Sequence, residues 1–439
     1  MKKLFFLPLI FLTLFVSCKK DNITPEDNVT PGVTPAMARD SLYYIMKEWY
    51  YWYNMPEATS VTSVNKANYK DPYELLEAMR YKTLDRWSYI LTYDEYVALM
   101  NGIFVGHGFR IGVDPSGNAR IAMIYNNSPL YANGVRRGWI VKKINNVDIA
   151  PILIANDGTA YSNLIGKSQA GITNIFLFKR PDGTEVTISS TKASFTINTV
   201  LLCDTLHLST GVTGQLVFES FFPPSPDELA TAFAFFKANN IKDLILDLRY
   251  NGGGILDIAQ TLASYIAGDS RQGSVFAKLQ YNDKHPEQNK PYLFIATSYP
   301  LALSRLVVIT TRSTASASEE VMNGLKPYVN VVSIGDTTNG KPTGMNGWII
   351  GNKYVMWPIT FKIVNAQNQG DFFNGIFPAK VLADDITHDF SDRQELCLKE
   401  AIHYLETGSI SGKGGSEFYR YPQFSEKPEW MNNAIVLKK

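Results

Sequence analysis

Histidine and cysteine are scarce in this chain, with five and three in 439 residues. None stands at the paired spacing of a zinc site, so the sequence calls for no metal and no cofactor. Excess charge of one sign is also missing. Lys and Arg number 42 against 41 Asp and Glu, and a net charge of +1 gives a nucleic-acid backbone nothing to attract it. No repeat of solenoid or propeller period is present. The apolar run from Leu4 to Val16 is too short for a comfortable membrane span. What is present is a globular composition, 45% apolar and 19% charged, in a chain long enough for two or three domains.

Lys2 and Lys3 ahead of that run, and small Ser17 after it, read as a signal peptide over residues 1–17. Cys18 follows Phe-Val-Ser and resembles the lipidated cysteine of a bacterial lipobox, with Phe15 in place of the usual leucine; the alternative is an ordinary signal peptide and an incidental cysteine. Residues 18–34, rich in Pro, Asn and Thr, read as a flexible tether. Thr34-Pro35 then starts a helix, and residues 35–100 form a helical, aromatic-rich cap. Between 101 and 193 the texture changes to short strands and turns, with a hairpin around Arg180-Pro-Asp-Gly183. Residues 194–410 read as α/β, and 411–439 as a polar tail without assignment. Within the α/β part, Ser225 with Glu228 and Ser391 with Gln394 are spaced as helix-starting capping boxes. Cys203 and Cys397 either pair or remain free thiols.

Three loops at the ends of apolar strands carry chemistry. Asp247-Leu-Arg-Tyr-Asn-Gly-Gly-Gly254 lacks the G-x-G-x-x-G order of a dinucleotide site. It reads either as a tight glycine turn or as an oxyanion hole, in which backbone N–H groups face a developing charge. Gly335-Asp-Thr-Thr-Asn-Gly-Lys341-Pro342-Thr343 is one residue from a Walker A loop, but Pro342 replaces the metal-binding hydroxyl and removes an N–H. In Ser316-Ala-Ser-Glu319, Ser316 is a helix-capping serine, or a nucleophile presented at a helix N-terminus, or both. No histidine lies near it in sequence; His285 and His388 are the nearest. Lys341 can serve as its base only if neutral, which needs desolvation of ~3.4 pKa units.

Taken together, Thr314-Ala-Ser-Ala-Ser-Glu-Glu320, the lysine in Gly335–Lys341, and Asp247–Gly254 upstream resemble the C-terminal processing peptidases, also called tail-specific proteases. Gly106-His-Gly-Phe109-Arg110 and Ser128–Ile149 resemble the carboxylate-binding loop and the core segment of their PDZ domain, with Trp139 and Asn146 departing from the pattern. The resemblance implies a multidomain α/β chain: a crotonase-like ββα peptidase core, an inserted PDZ domain and a small helical N-terminal cap. It implies Ser316 as nucleophile, Lys341 as general base, and the N–H of Ala317 with that of Gly253 or its neighbour as oxyanion hole. Gly106, Gly108, Phe109 and Arg110 would bind the end of a peptide by adding it to a sheet edge. Met345 stands where the family often has a lysine-orienting glutamine. The expected function is a serine endopeptidase acting near protein C-terminal regions, on an outer-membrane lipoprotein facing the periplasm or the cell surface. The alternative is a peptide- or ligand-binding module on the same scaffold; retention of both Ser316 and Lys341 favours the enzyme.

Overall fold

The computed structural model describes residues 32–412 and 423–426, and the backbone of 435–436; Cys18 and its leader lie outside the described residues. Thr34 caps the first helix, Pro35–Trp49, its side chain accepting from the Met37 N–H. This helix and Pro72–Met79 bury their apolar faces in the same core as the α/β unit, so the cap is not a separate body.

The centre of the molecule is a six-stranded sheet. Its order is Val200–Leu208, Gly211–Phe218, Asp243–Asp247, Arg305–Thr310, Asn330–Gly335 and Lys380–Val381. All pairings after the first are parallel. Parallel strands covered on both faces need apolar residues at every position, and this sheet has them. Leu244, Leu246, Leu306 and Val308 face a core shared with helices Ser225–Ala238, Leu256–Ala267 and Ala317–Leu325. Ile245, Val307 and Ile309 point the other way, onto helix Leu396–Thr407. The strand period of two assigns the faces.

A second sheet packs on the same core and contains Gly254–Ile255, Thr343–Met345, Ile359–Val364 and Val275–Tyr281. A third forms around its own apolar cluster, with strands Phe109–Val113, Ala119–Ile124, Ile140–Ile144, Thr173–Lys179 and Glu185–Thr191. It is joined to the α/β unit by buried polar contacts. Arg137 pairs with Asp384 at 3.1 Å and donates to the Tyr250 hydroxyl at 2.7 Å.

Both expected capping boxes are replaced. Helix Ser225–Ala238 starts without a side-chain cap: Ser225 Oγ donates to the Ser220 carbonyl at 2.7 Å. The Glu228 carboxylate instead accepts from the N–H groups of Thr199 and Val200. The last long helix starts later than its Ser391/Gln394 spacing suggests, at Leu396, because Glu395 caps it by accepting from the Leu398 N–H. In the first case Glu228 is drawn off by a tertiary partner, and in the second a neighbouring carboxylate takes the capping role. Cys203 and Cys397 are both free.

Candidate active site

Three loops meet at the carboxyl ends of the central parallel strands, where such sheets place ligands. The strand Arg305–Thr310 runs into a turn in which the Thr311 N–H donates to Thr314 Oγ1, and Thr314 Oγ1 donates to the Leu248 carbonyl at 2.8 Å. Ala315 N and Ser318 Oγ both donate to the Asn251 carbonyl at 3.0 Å. Asn251 therefore fastens the glycine loop to the serine turn. Its side chain also accepts from the Gly253 N–H at 2.9 Å, a local turn that asparagine favours.

Ser316 stands at the break between strand and helix with φ 65° and ψ −116°. A non-glycine residue in that region is strained, and such strain concentrates at functional turns. It is the backbone form of a nucleophile elbow. The hydroxyl is fully buried and makes no hydrogen bond among the described residues. Ser316 and Glu319 stand in the positions of the expected capping box. The Glu319 carboxylate accepts from the Ser316 N–H at 2.7 Å. Ala317 opens the helix, where first-turn N–H groups have no intrahelical acceptor.

Glu319 also holds the lysine loop. The same oxygen, Oε2, that accepts from Ser316 N accepts from Lys341 N at 2.8 Å. Its other oxygen accepts from Gly340 N at 2.7 Å and from the Thr338 hydroxyl. One buried carboxylate thereby brings the backbones of Ser316 and Lys341 onto a single atom. Gly340 has φ 93°, and a Cβ there would lie 2.4 Å from the Phe373 carbonyl oxygen, so glycine is required. Thr338 N donates to Ile376 O and Asn339 N to Thr314 O. The N–H groups that a phosphate cradle would need are consumed, in keeping with rejection of the Walker reading.

Lys341 is fully buried. Desolvation brings its ammonium down to about 7, against a smaller upward pull from the carboxylates of Asp85 and Glu319. Met345 Sδ lies 3.9 Å from Nζ, and the Trp87 ring centroid 6.0 Å away. Asp85 is itself engaged by the Tyr50 hydroxyl at 2.7 Å and by the N–H groups of Trp87 and Ser88. Asp85, Trp87 and Glu319 were not singled out as site residues from the sequence. Only Glu319 had a signal, the three-residue spacing from Ser316. His285 and His388 are placed elsewhere, the first stacked on Trp49 and the second bonded to Asp385.

One expected oxyanion donor is engaged. The Gly253 N–H is used inside its own loop by Asn251 Oδ1 and is not available to a further acceptor.

The second expected site, Gly106 to Arg110, is divided in its roles. The N–H donors of the loop are His107 and Gly108, both 2.9 Å from Glu426 Oε2. At Gly106 a Cβ would approach that same oxygen to 3.0 Å. The Phe109 side chain fills the core against Phe176, and the Arg110 guanidinium lies 5.1 Å from the Tyr250 ring centroid. The His107 ring is buried between Ser190 Oγ and Asn174 Oδ1, and burial lowers it to about 4; it is a neutral structural histidine.

Comparison with known proteins gives the family. The model of "Peptidase family S41" matches residues 212–379, and that of "Peptidase S41 N-terminal domain" matches 38–89; together they span half of the chain. A probable CtpA-like serine protease of Staphylococcus epidermidis is 24% identical over 277 residues, 61% of this chain and 51% of that protein. The carboxy-terminal processing protease CtpA of Bacillus subtilis is 28% identical over 189 residues, 40% of this chain and 39% of that one. The chain thus spans about half the length of the Staphylococcus relative. Among solved structures, a Bacteroides fragilis protein described as an S41 protease superposes with TM-score 0.69 at 23% identity, over 84% of this chain and 97% of that one. The photosystem II D1 C-terminal processing protease does so with TM-score 0.50 at 17% identity, over 83% and 97%. By the two family models, and by the mixed α/β fold shared with these structures, this chain belongs to peptidase family S41, the C-terminal processing peptidases.

Proposed function

We propose that the chain is a serine endopeptidase whose Ser316 and Lys341 act as a dyad. The observation that carries this is the Glu319 bridge. It joins a serine in a strained elbow, its hydroxyl unengaged among the described residues, to a lysine whose burial brings it near neutrality at physiological pH. Neutral Nζ takes the proton as Ser316 Oγ bonds to a peptide carbonyl carbon. The oxyanion is held by the Ala317 N–H and a donor of the Gly252–Gly254 loop. The ammonium then protonates the leaving amine as the C–N bond breaks, giving an acyl-enzyme. Water, deprotonated by the same Nζ, hydrolyses the ester and restores Ser316. Met345 replaces an amide with a thioether beside Nζ, which alters lysine orientation and hence rate.

In this reading residues 101–193 are a PDZ domain that holds the substrate peptide, and the chain is tethered through Cys18 to a bacterial envelope membrane. The test is cleavage of an unfolded protein or a broad peptide pool by the protein lacking residues 1–18, beside its Ser316→Ala variant. We expect cleavage by the first and none by the second. Cleavage that survives Ser316→Ala rejects the site, and peptide binding without cleavage by either form favours a binding module.

A further inference from the structure

The edge of the third sheet is occupied. Gln423–Ser425 pairs antiparallel with Phe109–Val113, in the register Gln423 to Gly112, Phe424 to Ile111 and Ser425 to Arg110. This is how a peptide is added to a sheet edge, and here the added strand belongs to the same chain. Phe424 packs on Tyr161, with ring centroids 5.0 Å apart, beside the apolar cluster of that sheet. The next residue but one, Glu426, is buried. Its Oε2 accepts from the N–H groups of His107 and Gly108, and its Oε1 lies 3.3 Å from Lys192 Nζ. Lys192 is itself buried and donates to the carbonyls of Gly166 and Lys167 at 2.9 and 3.0 Å. Two backbone donors and a fixed ammonium converge on one carboxylate, and that carboxylate is a side chain in mid-sequence.

A second described piece of the chain lies at the loops of the proposed active site. The backbone of Ile435–Val436 pairs in parallel with Gly254–Ile255, which leaves the glycine loop, and with Met345, beside Lys341. Extended backbone of this chain therefore stands at both places that a substrate peptide would use.

We infer that this chain's own segment 423–426 is an intramolecular ligand of the groove, that the groove reads an apolar–small–acidic stretch through an internal glutamate, and that Lys192 supplies the charge. The segment competes with substrate peptides. This inhibitory consequence rests on the proposed peptidase activity; the binding statement does not.

The experiment uses Ser316→Ala protein and a fluorescein-labelled, carboxy-amidated peptide Gln-Phe-Ser-Glu-Lys, read by fluorescence anisotropy. Adding Phe424→Ala and Glu426→Ala vacates the groove. A groove filled ~90% of the time weakens apparent affinity about tenfold, so the double variant is expected to bind the peptide at least tenfold more tightly than its parent. Lys192→Met in that background is expected to abolish the gain. Amide hydrogen exchange at Phe109–Val113 should accelerate in the double variant, a readout that does not depend on peptide affinity. Equal affinities together with unchanged exchange overturn the proposal. With Ser316 intact, kcat/KM on a peptide substrate should rise with the double substitution, and an unchanged value despite a vacated groove overturns the inhibitory part. Tighter binding with no cleavage by any form supports the ligand assignment and sinks the peptidase reading instead.

Discussion

Lys192 and Lys341 are both buried, yet their surroundings are opposite. Around Lys192 two backbone carbonyls and a glutamate carboxylate converge on the ammonium. Around Lys341 stand a thioether and an indole face, and the carboxylates of Glu319 and Asp85 accept from backbone N–H groups, including that of Lys341 itself. The first setting holds a charge in place. The second makes the charged form costly and leaves an amine able to take a proton. Burial alone therefore does not make a lysine a base; the orientation of the neighbouring acceptors decides.

The largest expected effect that tests this contrast is Lys341→Met. Peptidase activity should fall about ten-thousand-fold, while stability at pH 6 should rise by as much as ~4 kcal/mol. The sign follows from linkage. The folded Lys341 titrates near 7, below the ~10.4 of a free lysine. Between those values the unfolded chain binds more protons, so wild-type stability climbs with pH across that window and is lost as pH falls through about 7. In the variant the slope should flatten, and urea unfolding at pH 6, 8 and 10 measures it. Wild-type kcat/KM should rise through pH 7 on its acid limb. A limb absent there would mean that another group is the base.

Lys192→Met should act in the opposite sense on stability. It strips a donor from two carbonyls and leaves Glu426 buried without its ion pair, a cost of about 2–3 kcal/mol. Thermal unfolding would show it, and a variant more stable than wild type would break the contrast. The smallest effect is expected from Met345→Gln. An amide oxygen near Nζ should raise the pH midpoint of activity by less than about one unit and change kcat by up to about fivefold, the worth of one ordinary hydrogen bond. A pH–rate profile that does not move would mean that position 345 does not reach the lysine.

Much of the fold was legible because local pattern and tertiary structure agree. The apolar runs Leu244–Leu248 and Leu306–Thr310 are strands of the central sheet within a residue at each end. Gly268 ends its helix, and the hairpin around Arg180–Gly183 pairs Phe176 with Ile188. The spacings at Ser225 and Ser391 mislead because a preceding carbonyl takes the Ser225 hydroxyl, remote N–H groups take Glu228, and a closer carboxylate caps the last helix. Asp85 and Trp87 were missed for a related reason. They stand more than 200 residues before Lys341 and meet it only because the helical cap shares the main core.

By itself the sequence determined the residue types and their order: a serine before a helix, a lysine after a glycine, a glycine-rich turn, and a glycine-flanked loop at Gly106–Arg110. It also determined the family resemblance that those motifs carry. Only the tertiary structure decided protonation and occupancy. Lys341 becomes a weak base through desolvation by groups scattered along the chain, Glu319 becomes a bridge because two loops converge on it, and the groove holds Phe424 and Glu426 because a remote segment reaches its edge. Solvation and occupancy depend on what surrounds an atom in space, and the spacing of residues along the chain does not encode that.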